Sequence, residues 1–253
     1  MGREVTNALC AEPETEVVGA VDLAVPTNQL ALPDSSGSVP LSSDLDQILT
    51  SQQPDVLVDF TIARATMPAV RVAAPKKVNL VIGTTGLTAA DLDEIDRLAQ
   101  DNSIGAVVAP NFALGAVLMM HLSKIAARYL DYAEIIELHH DKKADAPSGT
   151  ALTTAREMAK VRGKPFSRTL DRDKNMKSRG DEVENIPVHA VRLPGLLAHQ
   201  EVILGALGQT LRIRHDMLNR EGFMPGVIIA IKEVVKRRGL IRSLDALLGL
   251  EEK

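Results

Sequence analysis

The chain has no tryptophan, only two tyrosines and four phenylalanines, and a single cysteine. Aromatics at 2% leave few platforms on which unpaired bases could stack, and a formal charge of −4 provides no general basic surface. Nucleic acid is therefore not expected as a partner. One thiol, Cys10, cannot close an intrachain disulfide and fits a reducing compartment. No apolar run approaches the roughly 18 residues that a membrane span needs. The opening "MGREVTNALC" lacks the charged-then-apolar layout of a secretion signal. These absences predict a soluble cytoplasmic protein with no membrane partner (plastid stroma for a plant sequence). What remains is an aliphatic chain, 45% hydrophobic over 253 residues, long enough for one large domain or two modest ones.

Four short apolar runs punctuate the first half: "EVVGAVD" (16–22), "PDVLVDFT" (54–61), "VNLVIGTTG" (78–86) and "IGAVVAPN" (104–111). Near-continuous β-branched runs suit parallel strands covered on both faces. Amphipathic segments lie between them. The clearest opens at Thr88, with Asp91 three residues on as a near-capping-box. Strands alternating with helices predict an α/β fold with a doubly wound parallel sheet.

After Asn111 the rhythm changes. "LGAVLMMHLSKIAARYL" predicts a helix whose apolar face carries Leu114, Val117, Leu118, Leu122, Ile125 and Tyr129. "AEIIELHH" reads as a strand and "GTALTTAREMAKV" as a helix. Residues 164–185 are polar and punctuated by Gly and Pro, and are expected as a long surface loop. "VHAVRLP", "HQEVILGAL" and "QTLRIRHD" predict an open, mostly antiparallel sheet, and "PGVIIAIKEVVKRR" a final helix.

In open α/β sheets, ligands sit at the carboxyl ends of the strands. Here those ends read Asp22, "DFT" (59–61), "GTTG" (83–86) and "APNF" (109–112). Any one of these could be an ordinary turn. Four small, polar ends together suggest a nucleotide cleft, with Asp22 placed to accept from an adenosine ribose. No Arg follows Asp22 immediately, which leans toward NAD(H) over NADP(H) without deciding between them.

The stretch "ELHHDKKADAPSGTAL" (137–152) crowds two histidines, a lysine and a helix start into one place. Free N–H groups at a helix N-terminus and a fixed cation suit a carboxylate or phosphate. One imidazole could act there as a proton donor. A solvated strand end followed by a plain helix cap is the bland alternative. Zinc is not expected, because Cys10 is the only thiol and no H-E-x-x-H pattern occurs.

This signature resembles the 4-hydroxy-tetrahydrodipicolinate reductase (dihydrodipicolinate reductase) family of lysine and diaminopimelate biosynthesis. "VDFT", "GTTG", "APNFALGAV", "HAVRLPGLLAHQEVILG" and "NREGFMPGV" fall in that family's order, and the resemblance spans essentially the whole chain. It implies a Rossmann-type dinucleotide-binding domain (1–111 and 221–253) and a smaller α+β domain (112–220) that binds substrate and builds a homotetramer. It implies reduction of a cyclic unsaturated dicarboxylate by NADH or NADPH. His139 matches the proton donor and Lys143 the second catalytic residue. His140, Ser148, Gly149 and Thr150 match the substrate-binding turn. Asp22, Phe60, Gly83, Thr84, Thr85, Ala109, Pro110, Asn111 and Phe112 match cofactor contacts.

The family also begins with a strand and a glycine-rich phosphate turn. Gly2 corresponds to the last glycine of that turn and residues 3–12 to its helix, while the first strand and first two glycines have no counterpart here. The chain as written is expected to bind cofactor weakly. Two alternatives follow: a catalytically weak member serving as a binding or assembly subunit, or another NAD(P)-dependent dehydrogenase of similar plan.

Overall fold

The computed structural model describes residues 1–25, 27–168 and 177–250. The chain divides into two compact units, Met1–Leu114 with Arg220–Lys253, and Gly115–Asn219. In chain order the first unit supplies α1 (Gly2–Ala11), β1 (Ala20–Val21), β2 (Gln29–Ala31), β3 (Ser38–Ser42), α2 (Leu45–Gln52), β4 (Val56–Asp59), α3 (Ala63–Ala73), β5 (Asn79–Ile82), α4 (Ala89–Asn102) and β6 (Gly105–Val108). Helix α5 (Leu114–Ala127) leads into the second unit, which continues with β7 (Tyr132–His139), α6 (Gly149–Arg162), β8 (Asp181–Val183), β9 (Ile186–Arg192), β10 (Ala198–Ala206) and β11 (Gln209–Met217). The first unit closes with α7 (Met224–Val234), β12 (Gly239–Ile241) and α8 (Leu244–Leu247).

The first unit is built on a four-stranded parallel sheet in the order β12-β6-β5-β4. Leu80, Val81, Ile82, Ala106 and Val107 are fully buried, as expected of strands covered on both faces. Helix α4 starts where its sequence dictates. The Thr88 side chain accepts the Asp91 N–H, and Asp91 accepts the Thr88 N–H in return, a complete capping box.

The expected strand at 16–22 is largely absent. Only Ala20–Val21 is extended, and it pairs with β3 in a separate three-stranded sheet ordered β1-β3-β2. Among the described residues Glu16–Gly19 find no ladder partner, and no residue of the run is buried, so it lacks what defines a central strand. Conversely, β12 matches none of the expected strands. Three residues following a helix carry no periodicity, yet β12 extends the parallel sheet beside β6.

The second unit is a five-stranded mixed sheet, β11-β10-β7-β9-β8, antiparallel except between β7 and β9. Helices α5 and α6 pack on one face, where Met119, Ala151, Ala155 and Met158 meet Ile135, Val188, Val202 and Leu204. The α5 face expected to be buried is only partly so. Val117 is buried with Ala116, Met119, Ser123 and Ala127, whereas Leu118, Leu122, Ile125 and Tyr129 are exposed. Small residues let α5 lie close to its neighbours, and two apolar stripes share the helix.

The loop expected over 164–185 ends in structure. Strand β8 pairs with β9 through a two-residue turn at Glu184 and Asn185, whose φ values of 53° and 63° match the left-handed turn that suits hairpin twist. Residues 169–176 lie outside the described residues.

Arg162 ties the far end of α6 to α5. It donates to the Ala127 and Leu130 carbonyls, each at 2.8 Å, pairs with Asp131, and stacks 4.8 Å over the Phe166 ring. No helix among the described residues is long and apolar enough to cross a membrane.

Candidate active site

Parallel pairing sets three predicted ligand-facing ends side by side in the first unit: Asp59 is registered with Ile82, and Ile82 with Val108. The chain leaving each strand carries "FT", "GTTG" and "APNF" respectively. Gly83 is required by the packing. A Cβ placed there would sit 2.1 Å from the Phe60 ring, so the glycine lets Phe60 close against the backbone. Phe60 in turn packs on Phe112, with ring centroids 5.5 Å apart.

Asp59 organises this corner. One carboxylate oxygen accepts from the Thr61 N–H at 2.8 Å and the Thr84 hydroxyl at 3.4 Å, while the other is buried with no partner. Thr84 is buried and Thr85 exposed. On the third strand end, the Ala109 N–H returns to the Ile82 carbonyl, Pro110 is exposed, and the Asn111 side chain accepts the Ala113 N–H at 2.8 Å. A Cβ at Gly226 would lie 2.2 Å from the Phe112 carbonyl oxygen, so α7 approaches that segment as closely as a glycine allows.

This lining of backbone, small side chains and two aromatic rings is of the kind that lets a nucleotide approach a strand end closely, while the second Asp59 oxygen is enclosed by protein. Asp22 stands apart, exposed after β1, with one oxygen accepting from the Ala24 N–H at 3.1 Å.

The second unit holds a different kind of site. Strand β7 alternates so that Ile135, Glu137 and His139 face the helices. Glu137 is fully buried, and both of its oxygens are saturated. One oxygen accepts the Ser148 N–H at 2.9 Å and one Arg192 nitrogen at 2.8 Å. The other accepts the second Arg192 nitrogen at 2.8 Å and lies 2.6 Å from His139 Nδ1. Arg192 comes from β9, registered opposite His139. It also donates to the Asp145 carbonyl at 2.6 Å, and the Asp145 carboxylate pairs with Lys143 Nζ at 2.7 Å.

One continuous network therefore links His139, Glu137, Arg192, Asp145 and Lys143. His140 follows the end of β7, and its carbonyl accepts the Lys143 N–H at 3.2 Å, closing the turn. Ser148 caps α6 by accepting the Ala151 N–H at 3.2 Å. Gly149 and Thr150 begin the helix, at positions whose N–H groups have no intrahelical acceptor.

Electrostatics follow from this wiring. Burial pushes Glu137 toward protonation, but Arg192, His139 and the Ser148 N–H outweigh it and hold the carboxyl below its ordinary range. Burial lowers the His139 pKa. Glu137 raises it part of the way back, and Lys143 and Arg192 lower it again, for a net value below that of an ordinary histidine. The residue types in "ELHHDKKADAPSGTAL" point to His139, Lys143 and the helix tip but not to Glu137 or Arg192 as their organisers. Arg192 lies 55 residues from Glu137, and a lone Glu in a strand reads as solvent-facing.

Residues 1–112 match the family model described as "Dihydrodipicolinate reductase, N-terminus", and residues 115–248 match "Dihydrodipicolinate reductase, C-terminus". The chain belongs to the dihydrodipicolinate reductase family. Among similar proteins, a 4-hydroxy-tetrahydrodipicolinate reductase of Dehalococcoides mccartyi is 56% identical over 99% of this chain and 95% of its own length. One of Moorella thermoacetica is 47% identical over 98% and 94%. The dipicolinate-bound dihydrodipicolinate reductase from Paenisporosarcina sp. TG-14 superposes with a TM-score of 0.85 at 38% identity, over 97% of this chain and 94% of that one. An amine dehydrogenase from Mycobacterium smegmatis, at 15% identity and a TM-score of 0.67, shares the fold.

Membership in the dihydrodipicolinate reductase family makes the doubly wound sheet with a separate mixed-sheet unit the expected architecture, and that is the fold observed. Among the described residues there is no cluster of three or more His, Cys, Asp or Glu side chains grouped to hold a metal.

Proposed function

We propose that this protein is a 4-hydroxy-tetrahydrodipicolinate reductase, using NADH or NADPH to reduce a cyclic dicarboxylate in the diaminopimelate route to lysine. The observation that carries the reading is His139, held by a buried carboxylate beside a capped helix tip and a lysine, in a chain of this family. The first unit is the dinucleotide-binding domain and the second binds substrate.

Phe60, Gly83, Thr84, Thr85 and the 109–112 segment border the nicotinamide end of the cofactor, and Asp22 serves its adenosine ribose. When bound, the reduced nicotinamide supplies a hydride. The N–H groups of Gly149 and Thr150, with Lys143 and His140, hold the substrate carboxylates and orient the ring. Lys143 reaches a ligand carboxylate by exchanging it for that of Asp145, which is largely exposed. His139 delivers the proton that balances the hydride. Its lowered pKa makes the imidazolium a stronger acid and shrinks the protonated fraction of the free protein near neutrality. A bound dicarboxylate brings negative charge to the site and favours the imidazolium again.

The protein works as a cytoplasmic homotetramer. Support for self-association comes from the second face of the five-stranded sheet. Among the described residues no helix covers it, and it carries Ile136, Leu138, Val191 and Ile203 between the charges of Glu134, Arg212 and Arg214.

The test is oxidation of NADH and NADPH by this chain with freshly generated 4-hydroxy-tetrahydrodipicolinate. Substrate-dependent oxidation that disappears in His139→Ala is expected. Cofactor binding with no turnover would replace this reading with that of a binding or assembly subunit.

A further inference from the structure

We infer that Glu137 is a positioning residue that fixes the tautomer of His139 and, through the same carboxylate, the helix tip that receives substrate. This rests on the reading of His139 as proton donor. An ionised carboxylate can only accept, and an arginine can only donate. With Arg192 clamped across both oxygens and the Ser148 N–H on one of them, the Glu137 oxygen facing His139 Nδ1 at 2.6 Å must meet an N–H. The proton on Nδ1 is thereby fixed, and Nε2 becomes the atom that gains and loses the catalytic proton.

The other Glu137 oxygen holds Ser148, the residue before α6. One buried side chain therefore sets both the imidazole plane and the position of the Gly149–Thr150 turn. Arg192 keeps the carboxylate charged inside the fold, and its bond to the Asp145 carbonyl anchors the loop that bears Lys143. A buried carboxylate with no counter-ion would be expensive, and Arg192 offsets that cost.

The charged groups acting on His139 are Glu137, Lys143 and Arg192. Replacing Glu137 by Gln removes the one that favours the imidazolium and leaves the two that oppose it. It also sets an amide NH2 against two of the four donors. In Glu137→Gln, kcat should fall on the order of 100-fold, the lower end of what a general acid contributes, while the KM for NADH stays within about twofold. The alkaline limb of the pH profile should move to lower pH. Glu137→Asp, which keeps the charge on a shorter arm, should recover part of the lost kcat.

A measurement on the unaltered protein needs no variant to fold. Ring-nitrogen NMR of the six histidines, with His139 assigned by the signal missing from His139→Ala, reports the tautomer above its pKa. A protonated Nδ1 is expected. A protonated Nε2, or a Glu137→Gln enzyme with parental kcat and pH profile and only a lower melting temperature, would overturn the inference. If the parent itself turns over no substrate, the reductase reading falls alone, and the ring-nitrogen signature still decides the role of Glu137.

Discussion

The candidate ligand sites of the two units are built by opposite means. In the first, what matters is how little is there: Gly83 without a side chain, Thr84 tucked in, backbone carbonyls and two rings. In the second, three charged groups and an imidazole are wired together around a fully buried carboxylate. A nucleotide can be held by surfaces that many sequences supply, provided the backbone comes close. The proton transfer proposed for the second unit would need a particular atom of a particular histidine, and that demands a rigid frame of side chains. Errors should therefore cost steric room on one side and chemistry on the other.

The largest effect is expected for His139→Ala. Loss of a general acid should lower kcat by roughly 10²–10⁴-fold with the unfolding midpoint little changed, read by turnover and thermal melting side by side. Parental turnover would remove His139 from the chemistry. Lys143→Ala should come next. We expect about a tenfold weakening of substrate affinity together with reduced kcat, because one charge-assisted contact is lost. A loss confined to melting temperature would make Lys143 a structural partner of Asp145.

Gly83→Ala tests the other mechanism. The new methyl group collides with Phe60, so stability should drop by about 1–3 kcal/mol and NADH should bind more weakly in a fluorescence titration. Substrate-analogue binding should be untouched. Equal damage to both ligands would erase the contrast between the units.

The smallest effect concerns acid. His139 and His215 both have pKa values lowered mainly by burial, so the unfolded chain binds more protons than the folded one as pH falls through the ordinary histidine value of about 6.5. Stability present above that value is lost below it, and Glu137, also lowered, adds a further loss at more acid pH, where the unfolded chain takes up a proton that the folded carboxylate refuses. Melting temperatures from neutral to mildly acid pH should fall, and less so in His139→Ala. A flat profile would show that these histidines are not desolvated.

Local rules carried much of this into the sequence. Thr88 and Asp91 are three residues apart and announce their capping box; Ser148 does the same for α6. The strand ends at Asp59, Gly83 and Ala109 were legible because buried parallel strands are short, apolar and bounded by small residues. Non-local features were not. The run at 16–22 has strand composition, but pairing is decided by its neighbours, and only β3 meets its last residues. On α5 two apolar stripes compete, and the choice falls to whichever face carries alanine, serine and methionine at close range. Glu137 gains its role only from Arg192, which comes from another strand.

Helix α6 is pinned at its start by Glu137 and at its end by Arg162. A beam fastened at both ends does not slide to greet what lands on it. If that tip receives the carboxylates of a ring acid, as proposed, its two anchors leave it little freedom to follow a ligand that fits badly.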